Sequence, residues 1–189
     1  MLQAGIALAC LHRAHADERI PPPATAPATV TVTRDGSVQH VRARLRAAAP
    51  AATCYAVLAD FDRLEDFVPG LESSEVVSAP GVEPLLLRQV GVASALFFRS
   101  TVDVTLAVRV QPPVRIEFER VAGNLRRMRG HWAVAGDARH CVIDYEAEIE
   151  PAFWVPPLVG PRLMRRQVER QFAGVLGEID ARAVAEPSP

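Results

Sequence analysis

Any chemistry in this chain has to come from five histidines, three cysteines, a close pair of aspartates and a few polar side chains on otherwise apolar faces. A hydrolase or lyase needs a nucleophile or base within hydrogen-bond reach of an orienting group, and a metal needs converging ligands. His12, His15, His40, His131 and His140 include none on a clearly inward position. Cys10, Cys54 and Cys141 stand far apart, without CxxC spacing or a Cys/His cluster, so no zinc site is indicated. Three cysteines are also too few for a disulfide framework, and Cys54 and Cys141 fall on faces that should be buried, where a free thiol packs as a small hydrophobe. Asp62, followed by Arg63-Leu64-Glu65, reads as a helix N-cap with Glu65 as its capping-box partner, which leaves Asp60 as the only carboxylate near the mouth of any cavity beside the short helices. Catalytic residues, metal ligands and cofactors are therefore expected to be absent.

Composition narrows the classes further. The chain has 189 residues, half of them apolar, which suffices for one domain with a sizeable core. All 21 basic residues are arginine; the absence of lysine excludes Schiff-base chemistry, a P-loop lysine and lysine general bases. A formal charge of −1 gives no electrostatic footprint for nucleic acid.

The elements follow from periodicity. Thr29 to Ala47 alternates, with Val41, Ala43, Leu45 and Ala47 on one face and Arg42, Arg44 and Arg46 on the other, as in a half-buried strand. Pro50 opens a helix carrying Ala52, Tyr55, Ala56, Leu58 and Ala59, and a second short helix spans about Arg63 to Phe67. Strands follow over Glu72–Ala79 and Leu85–Val92, then in a long run with Phe98, Ser100, Val102, Val104, Leu106 and Val108 on one face. Three more strands place Val114, Ile116 and Phe118, then Met128, Gly130, Trp132 and Val134, then Cys141, Ile143, Tyr145, Ala147 and Ile149 inward. Their outer faces read acidic, basic, acidic, which cross-strand pairing satisfies. Met164, Val168, Phe172, Val175 and Ile179 form the apolar stripe of a helix over about Leu158 to Val184. The inward polar residues Ser100, Tyr145 and, by its register with Met128, Arg126 are suited to orient a carbonyl, hydroxyl or carboxylate; Arg126 is equally able to run out to solvent at the strand end.

At the N-terminus, the apolar run Leu2–Leu11 is too short to span a bilayer and is followed by Ala14-His15-Ala16, a small-x-small site. The expected organisation is a signal peptide over 1–16, a linker with four prolines over 17–28, a ligand-binding domain over 29–184 and a tail over 185–189. Export would place the protein in the periplasm or outside the cell; the alternative is the cytoplasm.

Strand, two short helices, six strands and a long helix is an order that resembles the START-related helix-grip superfamily, also called SRPBCC or birch-allergen-like. Tyr55-Ala56-Val57-Leu58-Ala59-Asp60-Phe61-Asp62-Arg63-Leu64-Glu65-Asp66-Phe67-Val68-Pro69-Gly70-Leu71 looks like the helix segment of the polyketide cyclase and coenzyme Q-binding branch. Gly123-Asn124-Leu125-Arg126-Arg127-Met128-Arg129-Gly130-His131-Trp132 is similar to that branch's glycine- and tryptophan-bearing strand. Phe61 and Leu125 depart from it, standing where tyrosine and phenylalanine are common. The resemblance implies an α+β helix-grip fold, a curved antiparallel sheet of about seven strands around a long C-terminal helix. It also implies an apolar cavity with its mouth near the short helices.

The side chains expected to line that cavity are Phe61, Phe67, Val68, Phe98, Ser100, Val102, Arg126, Met128, Trp132, Tyr145, Trp154, Met164, Val168 and Phe172. The function implied is binding or carriage of an apolar small molecule or lipid, isoprenoid-, quinone- or polyketide-like, without covalent catalysis. The alternatives are a cyclase or dehydratase and a protein-interaction factor resembling the ribosome-associated, toxin-like members. Phe153 and Trp154 with Arg162, Arg165 and Arg166 are suited to touch an anionic membrane surface.

Overall fold

Alternating apolar residues build one face of every strand, and antiparallel pairing gathers those faces into a single curved sheet closed by a long helix. The computed structural model describes residues 28–95, 98–152 and 160–185. Along the chain run β1 (Ala28–Asp35), β2 (Val38–Ala47), α1 (Ala51–Leu58), a 3-10 turn over Phe61–Arg63 leading into α2 (Leu64–Phe67), then β3 (Leu71–Val76) and β4 (Leu85–Ala95). They are followed by β5 (Phe98–Gln111), β6 (Arg115–Gly123), β7 (Leu125–Gly136), β8 (Cys141–Pro151) and α3 (Gly160–Ala185). The spatial order is β1-β2-β8-β7-β6-β5-β4-β3, all antiparallel.

The fold is the expected helix-grip, with eight strands instead of about seven. The extra strand comes from Thr29–Ala47, which is a hairpin and not one strand: Asp35 pairs with Val38 across Gly36-Ser37, and Gly36 takes φ +58°. Glycine reaches that left-handed region without a Cβ clash, which is why a two-residue turn fits here.

The core lies between the sheet and α3. Leu45 of β2, Ile143 of β8 and Ile179 of α3 are completely buried, joined by Val168, Phe172, Val175 and Leu176 along the helix stripe. Helix α3 packs on β1 and β2 and against α1 and α2. Its approach to α2 depends on Gly174, because a Cβ there would run into the Phe67 carbonyl and the Pro69 ring. Gly174→Ala is accordingly expected to push α3 off α2 and to destabilise the protein by roughly 2–3 kcal/mol, within the range for overpacked sites. Thermal unfolding of the variant measures this, and an unchanged midpoint would show that the seam is loose.

Two local expectations fail for physical reasons. Asp62 does not cap the second helix, which has no side-chain cap; its Oδ1 accepts a hydrogen bond from the Val76 amide at 2.7 Å and so ties the helical segment to β3. Cys54 and Cys141 are not free thiols but form a disulfide, buried at both ends. Ala47 lies beside Cys141 in the β2–β8 register, and α1 begins just beyond it with the Ala51 amide bonded to the Asp137 carbonyl. That fold-back brings together two residues 87 apart in sequence, with Cα atoms 6.8 Å apart.

On the outer face the charges pair across strands. Arg44 meets Asp144 at 2.7 Å, Arg42 meets Glu146 at 3.4 Å and Arg129 meets Glu148 at 2.8 Å. Such exposed pairs are screened by solvent and serve solubility and register more than stability.

Candidate functional site

A hollow of about 190 Å³ lies between the sheet and the helices. The helical segment supplies Leu58, Phe61, Leu64 and Val68 to its wall, while α3 supplies Gln171, Phe172 and Val175. The sheet contributes Leu71, Leu87, Gln89, Leu106, Val108, Ile116 and Phe118 from β3 to β6, and Met128, Trp132 and Tyr145 from β7 and β8. None of these side chains carries a formal charge. The volume is below the ~300–1,000 Å³ usual for sites that enclose a drug-sized ligand, so a ring-sized molecule fits as the site stands, whereas a long lipid requires the helices to part.

The wall is built around four aromatic rings. The Trp132 and Tyr145 centroids are 4.4 Å apart, and Phe172 meets both edge-on, at 5.3 Å from Trp132 and 5.2 Å from Tyr145. Phe118 stacks on Tyr145 at 6.0 Å. Direct cross-strand pairing of Trp132 with Tyr145 sets this cluster, and the α3 stripe lowers Phe172 onto it. Burial pushes the Tyr145 phenol well above its ordinary pKa, so it stays a neutral hydroxyl able to donate and accept. Among the described residues that hydroxyl has no hydrogen-bond partner.

Of the residues expected to line the site, Phe61, Val68, Met128, Trp132, Tyr145 and Phe172 do so. Phe67, Val102 and Met164 instead pack half-buried against the core, and Val168 is buried within it. The side chains of Phe98 and Ser100, and the whole of Phe153 and Trp154, lie outside the described residues. Arg126 is not in the wall. A β-bulge between Leu125 and Arg127 breaks the alternation counted back from Met128, so Leu125 turns inward and Arg126 points to solvent, 3.8 Å from Glu150.

The polar residues Gln89 and Gln171 were not among the expected lining residues. Gln89 stands two residues after the buried Leu87 and shares its face; Gln171 directly precedes Phe172.

Asp60, the carboxylate expected near the cavity mouth, does not line the hollow; it accepts a hydrogen bond from Arg182 of α3 at 2.6 Å, and Arg182 also bonds Glu178 at 2.7 Å. It thus pins the helical segment to α3 outside the cavity. Among the described residues no group of three or more His, Cys, Asp or Glu is placed to hold a metal ion. A larger hollow of about 410 Å³ lies on the outer face, but its walls are the rows of arginine, glutamate and histidine on β5 to β8 and β2, most of them already paired.

The profile of the polyketide cyclase / dehydrase and lipid transport family matches residues 47–175. The chain belongs to that family. Solved structures share its fold at low identity. A protein from Thermus thermophilus is 22% identical, with 76% of this chain and 99% of that one covered and a TM-score of 0.63. The ZhuI aromatase/cyclase from Streptomyces sp. R1128 is 19% identical over 78% and 94%, with a TM-score of 0.62. A STAR-related lipid transfer protein from Xanthomonas axonopodis is 16% identical over 82% and 95%, with a TM-score of 0.65. No curated protein matches the sequence. The family is one of apolar-ligand binding, cyclase chemistry and lipid transport.

Within the family frame, the motif residues acquire physical roles. Gly123 sits at φ +106° where a Cβ would meet the Asp103 carbonyl, and Asn124 bridges to β5 through Thr101 and Asp103. Gly130 lets β7 close on β8 and on the Phe118 ring. The motif thus lets the β6–β7 connection close on β5 and β7 close on β8.

Proposed function

We propose that this family member binds and carries a neutral, apolar small molecule in the cavity, without covalent catalysis. The observation that carries the reading is the composition of the wall among the described residues: four clustered aromatic rings, aliphatic side chains and uncharged polar groups, with no carboxylate, arginine or histidine. An ionised ligand group would be left without a counter-charge there, at a cost of several kcal/mol. Cyclase or dehydratase chemistry needs a group that moves protons near neutral pH, and the raised pKa of Tyr145 makes it a hydrogen-bonding group instead.

Export to the periplasm or beyond is part of the proposal. The Cys54–Cys141 disulfide supports it, since such bonds persist in oxidising compartments.

Contact with an anionic membrane surface completes the proposal, and the charges of α3 support it. Arg162, Arg165, Arg166 and Arg170 are exposed on its N-terminal half, and its first turn has no acidic residue. Arg165 pairs with Glu169, whereas Arg162 and Arg166 have no ion-pair partner among the described residues. Cations at the positive end of a helix dipole, and like charges four residues apart, both cost helix stability. An anionic surface would offset that cost.

Native mass spectrometry of detergent-free protein, followed by solvent extraction, tests the carriage reading. The expected result is one apolar molecule per chain; a protein that arrives empty and takes up no lipid, quinone or ring compound would remove it.

A further inference from the structure

Two adjacent inward positions on neighbouring strands are polar where apolar residues would pack more favourably. Ser74 is the one buried residue of β3, at 3% exposure, and it lies directly opposite Gln89 of β4 in the register. The Gln89 carboxamide donates from Nε2 to the Ser74 Oγ at 3.2 Å. Gln89 also lines the cavity, and with its amide nitrogen held by Ser74 its Oε1 is left as the open acceptor. Among the described residues Oε1 has no partner. Gln89 is half-buried, so this open acceptor in a largely apolar wall is placed to be completed by a donor in the cavity.

Resting on the cavity reading, we propose that Gln89, oriented by Ser74, accepts a hydrogen bond from a ligand hydroxyl, and that this pair makes the site select neutral apolar molecules bearing a free hydroxyl. Tyr145 lines the same hollow from β8, four strands away from Gln89 on β4, so the selection rests on Gln89 and Ser74 and not on the phenol. A carboxylate or phenolate oxygen cannot complete Gln89 Oε1, and only the second N–H of the amide is left to donate to it. It has no proton to give Gln89, and its charge would face the amide oxygen across a wall without cations. An ether or ketone lacks the donated proton as well. Ser74 does not line the cavity and acts as the positioning residue.

The test uses three probes of one ring frame, naphthalene, 2-methoxynaphthalene and 2-naphthol, titrated into the full chain and followed by tryptophan fluorescence. Wild type is expected to bind 2-naphthol about fivefold to tenfold more tightly than the methyl ether, the span of one neutral hydrogen bond. Gln89→Met should bring 2-naphthol down to the ether's affinity and leave naphthalene unchanged. Ser74→Ala should at least halve the preference. It carries the test alone if Gln89→Met does not fold. Equal affinities for naphthol and ether in wild type, or a preference that survives both substitutions, would overturn the assignment while leaving the cavity reading intact. Failure of all three probes to bind wild type would overturn both.

Discussion

Reducing the Cys54–Cys141 bond is expected to lower stability by on the order of 3–4 kcal/mol, which for a domain of this size corresponds to roughly a 10 °C fall in the unfolding midpoint. The bond closes a long loop, with its cysteines 87 residues apart, and a longer closed loop removes more entropy from the unfolded chain. It also anchors α1, which carries Leu58 of the cavity wall, to the first residue of β8. Loosening it should therefore weaken ligand binding along with stability. The experiment compares oxidised and reduced samples of the same chain by calorimetry, with thiol titration to confirm the redox state. Equal midpoints would mean that the bond adds nothing to stability.

The double replacement Arg162→Glu and Arg166→Glu should move two properties in opposite directions. Each arginine at an anionic bilayer is worth about 1 kcal/mol, so removing two attractions and adding two repulsions should weaken binding to phosphatidylglycerol-containing vesicles by a hundredfold or more. At the same time the helix should gain up to about 1 kcal/mol, because a glutamate at position 162 stands in the first turn at the positive end of its dipole and one at position 166 can pair with Arg170 four residues on, although positions 162 and 166 still repel each other. Vesicle sedimentation and thermal unfolding read the two effects separately. A variant that loses vesicle binding only because it is less stable would contradict the reading, as would wild-type protein that ignores anionic vesicles at low salt.

How far the sequence could be read depended on whether neighbours in space were set by local pattern. The strands of the sheet, the α3 stripe and the Trp132–Tyr145–Phe172 cluster follow from alternation and helical spacing, and those residues were legible. The β1–β2 hairpin left a trace that continuous alternation conceals. Inward residues are even-numbered in β1, at Val30 and Val32, and odd-numbered in β2, at Val41, Ala43 and Leu45, and a change of parity marks a two-residue turn. The bulge at Arg126 changes phase in the same way within a few residues of Met128, and nothing in that arginine-rich stretch marks the place. The disulfide depends on where α1 lands over β8, a tertiary fact without a local signature. Cavity and core are harder still to separate. Val168 and Phe172 share one stripe, yet only Phe172 reaches the hollow, because the curvature of the sheet decides where packing stops.

The buried bond between α1 and β8 has a further consequence for the molecule as a covalent object. The exposed connection between β3 and β4, around Pro80, Gly81 and Val82, lies inside the loop that the bond closes. A protease that cuts there leaves two fragments still joined through sulfur. The hydrogen bonds between β3 and β4 and the sheet on either side of the cut then hold the break in register. In a compartment rich in proteases, a nicked chain of this design can retain its fold and its cavity where an unstapled one would come apart.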